Sequence, residues 1–132
     1  SEIMIDKLPN LQTLGGPHLE KLTSEKLNKL ITYQKPLTIT GTPIVTWSLK
    51  KAYNVSLLMD SNKTLFFEQL TPGDYGTIKL TQDAVGSRTL AIPANSKVSS
   101  NGLGVLTLTA AANAIDIATF YYDGINLFWN IN

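Results

Sequence analysis

Cysteine is absent from the 132 residues, which excludes disulfides, thiolate catalysis and thiolate-held zinc together. Histidine occurs once, as His18 in Gly15-Gly16-Pro17-His18. A metal centre or a Ser-His-acid triad would have to be built on that single imidazole, and no nucleophile-elbow pattern accompanies it. Arginine also occurs once, as Arg88. No uninterrupted apolar stretch approaches the ~20 residues of a membrane-spanning helix, so membrane insertion is not expected. The opening Ser1-Glu2-Ile3-Met4-Ile5-Asp6 lacks the basic leader and long apolar core of a secretory signal. Charge of one sign is missing as well: 11 basic and 10 acidic residues leave a net charge of +1. Lys50-Lys51 is the only adjacent basic pair, whereas neutralising phosphates takes a concentrated patch. No nucleic-acid partner is expected. Asn101-Gly102-Leu103-Gly104 lacks the third glycine and the following helix of a phosphate-binding loop. Neither cofactor nor metal is expected, and the chain does not read as an enzyme.

What is present suits one domain of ordinary size, with 43% apolar residues to fill a core. The texture changes near residue 35. Residues 1–35 carry Leu8, Leu11, Leu14, Leu27, Leu30 and Ile31 and form an expected attachment or oligomerisation segment. Leu27, Leu30 and Ile31 share one helical face, and Thr23 or Ser24 can cap it, which predicts a short helix over 24–33. Such a helix is too short to stand alone in water and needs something to pack on.

Residues 36–132 read as the β domain. Segments 37–40, 44–49, 53–59 and 64–68 are rich in β-branched and aromatic residues. Asp60-Ser61-Asn62-Lys63 reads as a hairpin turn, Thr71 to Gly76 as a second turn cluster, and Asp123-Gly124 as the centre of a two-residue hairpin. Further strands are expected at about 77–82, 87–92, 103–109 and 114–122. Short strands broken by turn signals every ~8–12 residues predict a mostly β fold, an antiparallel β-sandwich or jelly roll with a short N-terminal helical segment. Segment 114–122 is largely apolar on both faces, which points to a second burial partner or to cover from the domain's own loops.

Two side-chain sets stand out. Asp116 sits inside an apolar strand and needs a partner. Arg88, whose planar fork can hold a carboxylate in two hydrogen bonds, is expected to clamp Asp116 or Asp83. Trp47, Tyr75, Tyr121, Tyr122 and Trp129 are the aromatics that could stack on sugar rings, although strand aromatics more often fill a core.

The run Gly76-Thr77-Ile78-Lys79-Leu80-Thr81-Gln82-Asp83-Ala84-Val85-Gly86-Ser87-Arg88-Thr89-Leu90-Ala91-Ile92-Pro93 resembles a segment of tailed-phage virion structural proteins. Such proteins continue, as here, with an Asn113-Ala114-Ile115-Asp116-Ile117 strand, an aromatic at Phe120, the Asp123-Gly124 turn and a late Trp129. The loop after Pro93 departs from that pattern: it carries Val98-Ser99-Ser100-Asn101-Gly102 in place of a tryptophan and a Gly-Gly pair. Residues 1–36 take no part in the resemblance. It implies a fibre, spike or head-decoration module located on the virion. Its implied partners are its own copies, as a homotrimer, and other virion proteins, with a host-surface glycan as a further contact. A stand-alone carbohydrate-binding module is the competing expectation.

Overall fold

The computed structural model describes residues 23–28 and 35–132. Residues 24–28 form a helical turn. Thr23 caps it: its Oγ1 accepts the Lys26 N–H at 3.2 Å, and its carbonyl accepts Leu27 N–H at 2.9 Å. The rest of the expected helix lies outside the described residues. So do Leu8, Leu11, Leu14, Leu30, Ile31 and His18.

The described chain is mostly strand. In order these are β1 (Leu37–Thr38), β2 (Ile44–Ser48), β3 (Asn54–Met59), β4 (Lys63–Glu68), β5 (Tyr75–Gln82), β6 (Leu90–Ala91), β7 (Ser96–Val98), β8 (Ile115–Tyr122) and β9 (Leu127–Ile131). They form a six-stranded sheet in the order β1-β3-β5-β8-β9-β7 and a three-stranded sheet in the order β2-β4-β6.

Pairing departs from the antiparallel expectation. β1–β3, β3–β5, β2–β4, β4–β6 and β7–β9 are parallel, and only β5–β8 and β8–β9 are antiparallel. The sheets are mixed, neither an all-antiparallel sandwich nor a jelly roll. The reason is visible in the order: from β1 to β6 the chain alternates between the sheets, so each strand pairs with the next but one, running the same way. The turn at 60–62 therefore carries the chain across to the other sheet instead of closing a hairpin. Lys63 secures this corner. Its buried ammonium pairs with Asp60 at 2.8 Å and donates to the Gly41 carbonyl and to Thr42 Oγ1.

The β8–β9 hairpin does form, but Tyr122 pairs with Leu127, so its loop has four residues, not two. Asp123 Oδ1 accepts the N–H groups of Ile125 (2.8 Å) and Asn126 (2.7 Å), which closes the wider loop. Segment 103–109 is not in either sheet, and β6 covers only two residues of the strand expected over 87–92.

The sheets face each other across an aromatic core. Trp47 from β2 meets Phe120 from β8 edge-on at 5.1 Å, and Phe67 from β4 lies 4.7 Å from Phe120 and 6.1 Å from Trp129 of β9. Val45, Val55, Leu57, Met59, Leu65, Ile78, Leu80 and Leu127 fill the remainder. Gly76 lets this packing close, because a Cβ there would lie 2.7 Å from the Trp47 ring and 2.8 Å from the Tyr53 carbonyl.

Candidate functional site

The motif residues on either side of the loops converge. On β5, inward positions alternate as Ile78, Leu80 and Gln82, and the last places an amide in the core. Gln82 Nε2 donates to the carbonyls of Arg88 (3.0 Å) and Thr109 (3.2 Å), and its Oε1 accepts Arg88 N–H at 3.0 Å. Asp116, on the neighbouring strand and equally buried, takes the other side of Thr109. Its two carboxylate oxygens accept Thr109 N–H (2.7 Å) and Thr109 Oγ1–H (2.8 Å). One threonine is thus held from both strands. Buried polar groups satisfied in this way rigidify what they hold.

Arg88 reaches Asp83 and not Asp116. Its Nη2 and Nε lie 3.0 and 3.4 Å from the two carboxylate oxygens. Both residues belong to the 83–88 turn, so the ion pair closes that turn on itself and does not join the 77–92 and 114–122 segments. Asp83 Oδ1 also accepts the N–H groups of Val85 and Gly86, each at 3.0 Å. The Arg88 hydrogen bond, then the Gly86 N–H, hold the Asp83 carboxyl below its usual range; desolvation opposes them by more than the Val85 N–H adds. Gly86 has φ 76°, and a Cβ there would sit 2.5 Å from the Ala110 carbonyl. The turn and segment 110–113 therefore touch backbone to backbone, through Ser87 N–H to Ala110 O (2.7 Å) and Asn113 N–H to Asp83 O (2.9 Å).

Sequence reasoning singled out Asp83, Arg88 and Asp116 but not Gln82 or Thr109. The signal for Gln82 was its place in the inward alternation after Ile78 and Leu80. Thr109 carried no signal, since only the fold brings it to Asp116.

The aromatics divide into two groups. Trp47 and Trp129 are fully buried and cannot be platforms; their indole N–H groups donate to the Ala52 carbonyl (2.8 Å) and to Ser96 Oγ (3.1 Å). Tyr122 is half-buried, and its hydroxyl donates to the Gly124 carbonyl. Tyr75 and Tyr121 are exposed at 62% and 51% and stand opposite each other on β5 and β8. Tyr121 in turn pairs with Phe128 of β9, exposed at 44%, and Phe128 pairs with Lys97 of β7. Three aromatics and a lysine therefore form one row across four strands of the outer face. Phe128 was missed because its direction follows only from knowing that Trp129 points inward.

Between residues 87–92 and 104–110 lies a mainly apolar groove of about 500 Å³, with Leu90, Ile92, Val105 and Leu108 in its walls. Among the described residues no three His, Asp or Glu side chains gather as metal ligands. No family model matches the chain, and no curated protein or solved structure matches it.

Proposed function

We propose that the chain is a non-enzymatic structural module of a tailed-phage virion, of the fibre or spike type. In this reading it assembles as a homotrimer, joins other virion proteins through residues 1–35, and displays its β domain toward the host surface. One observation carries the reading. Gln82, Asp83, Gly86 and Arg88 of the 76–93 segment lie about thirty residues from Asn113 and Asp116, yet all serve one bracing network. A segment whose separated parts hold each other in place is a rigid unit, as a displayed structural module requires. The same residues are occupied with backbone and loop contacts, which favours a scaffold over a reaction centre.

Sedimentation equilibrium of the full chain tests the assembly. A particle three times the 14.4 kDa chain mass is expected at micromolar concentration, and a stable monomer overturns the trimeric reading. Antibody labelling of lysates from cells that make the chain, and of the phage particles purified from them, tests the location. Label on head or tail is expected, and label confined to unassembled protein overturns a virion role.

A further inference from the structure

We infer that the groove between residues 87–92 and 104–110 is an acceptor slot for one extended β-strand, filled in the assembled protein by Ile3-Met4-Ile5 of a neighbouring copy. The inference rests on the trimeric reading and names the surface through which the copies join.

One wall is a free sheet edge. β6 is the outer strand of the three-stranded sheet and pairs with β4 alone. Lys63 pairs with Leu90 by donating to the Thr89 carbonyl, so the N–H and C=O of Leu90 itself point away from β4, into the groove. The opposite wall is strand-like without a ladder. Residues 105–109 alternate between exposed and inward positions, with Leu106 buried. Leu106, Thr107 and Leu108 make no backbone hydrogen bond with any described residue. Buried backbone groups are nearly always paired, so both walls present a demand for a partner. At one end of the groove that demand is met. The Gln82 amide lies between the walls: Nε2 donates to the carbonyls of Arg88 (3.0 Å) and Thr109 (3.2 Å), and Oε1 accepts Arg88 N–H. A side-chain amide is the chemical equal of a peptide unit. A strand continuing along the groove from Gln82 would meet free donors and acceptors on both sides, as in strand addition to a sheet edge.

The backbone demand sets the class of occupant, and the walls set its side chains. An extended peptide offers N–H and C=O groups at the repeat of a strand; a sugar or a lipid does not. Leu90, Ile92, Val105 and Leu108 call for apolar side chains. Strand rise and the strand and sheet spacings give an extended residue about 160 Å³, so the groove of about 500 Å³ takes about three. Ile3-Met4-Ile5 is an apolar run of that length, β-branched at both ends, with Glu2 and Asp6 left outside the slot. Ile31-Thr32-Tyr33 has similar character, but Tyr33 stands only four residues before Leu37 and so is held near the β1 edge of the other sheet. Ile5 precedes Lys35 by thirty residues, a length of chain that spans at most about 100 Å and so reaches a neighbouring copy. Donor and acceptor are different surfaces, which makes the contact heterologous. Three copies close it into a ring in which each donates one strand and accepts one.

The chain has no cysteine, so an introduced pair can be cross-linked without background. With Ile3 and Ile5 turned inward, Met4 shares the exposed face with Ala91 of β6. The full chain carrying Met4→Cys and Ala91→Cys is oxidised without denaturant, and the products are mapped by peptide mass. A disulfide from residue 4 of one chain to residue 91 of another is expected, with products up to three times the 14.4 kDa chain mass. Thr13→Cys with Ala91→Cys is the control pair and should give much less. In the cysteine-free chain, Ile5→Asp places a charge in the slot and is expected to speed hydrogen exchange at the Leu90 amide about tenfold or more. Unchanged near-ultraviolet circular dichroism from the buried tryptophans shows that the variant keeps its fold. A 4–91 disulfide within one chain, or no more of it than in the control pair, overturns the strand exchange. So does a Leu90 amide that exchanges equally fast with and without Ile5→Asp. A trimer in sedimentation without the 4–91 link overturns the strand exchange alone, whereas a monomer overturns the trimeric reading with it.

Discussion

Gln82 and Asp116 hold opposite ends of the same threonine, so neither contributes independently of the other. Gln82→Ala leaves the Arg88 N–H and the Thr109 carbonyl without their partner and is expected to cost about 2 kcal/mol in urea unfolding. A double-mutant cycle with Asp116→Ala should show coupling of more than about 0.5 kcal/mol. Strict additivity would mean that Thr109 is not the shared anchor. At Asp83 the sign of the pH effect follows from the lowered carboxyl. A carboxyl depressed on folding stabilises fully above the unfolded value, about 3.9, and that contribution is lost as pH falls through the lower folded value. Arg88→Gln removes the largest cause but keeps the Val85 and Gly86 N–H groups. The Asp83 titration seen by NMR should therefore move up only part of the way. An unchanged titration would show that the ion pair does not form in solution.

Among the elements, β5 has the most demanding surroundings. It pairs with β3 on one side and β8 on the other, and its Gly76 lies against Trp47, Phe120 and the Tyr53 carbonyl. Gly76→Val has no room to relax, since one of these contacts is backbone and the others are the central aromatic core. A loss of about 1–3 kcal/mol is expected from chemical denaturation, together with altered near-ultraviolet circular dichroism from the tryptophans. Full stability in that variant would contradict the close packing between the sheets. The cover expected for the second apolar face of β8 from the domain's own loops is not found among the described residues. Asp116, Ala118 and Phe120 point into the core, while Ile115, Ile117 and Tyr121 remain exposed on the outer face.

For the molecule as a whole, the described core runs from Ile39 to Trp129. A fragment of residues 36–132 is expected to retain β circular dichroism and a single cooperative melt. Loss of cooperativity would show that residues 1–35 belong to the folding unit and are not a separate attachment segment. Comparing the sedimentation of this fragment with that of the full chain then assigns assembly to one part or the other. The parallel pairings join strands about twenty to thirty residues apart, and non-local contacts of this kind must pay loop closure before they gain.

Local chemistry alone made several features legible. β-branched and aromatic runs marked β2 to β5 and β8, and the helix cap could be narrowed to Thr23 or Ser24 because capping needs only neighbouring atoms. Asp116 could be flagged because an acid within an apolar strand must find a partner. The absence of cysteine settled the thiol chemistry by inventory. What the sequence could not decide was everything that depends on which strand lies beside which. A turn that closes a hairpin and one that crosses between sheets use the same residues, so parallel pairing was invisible at 60–62. Arg88 had two acids in prospect, and only the 83–88 turn brought one of them within reach. The tryptophans and tyrosines looked alike as platforms until the sheets closed over the former. Tertiary structure alone aligned Tyr75, Tyr121, Phe128 and Lys97, because a row across a sheet is set by register and not by spacing along the chain.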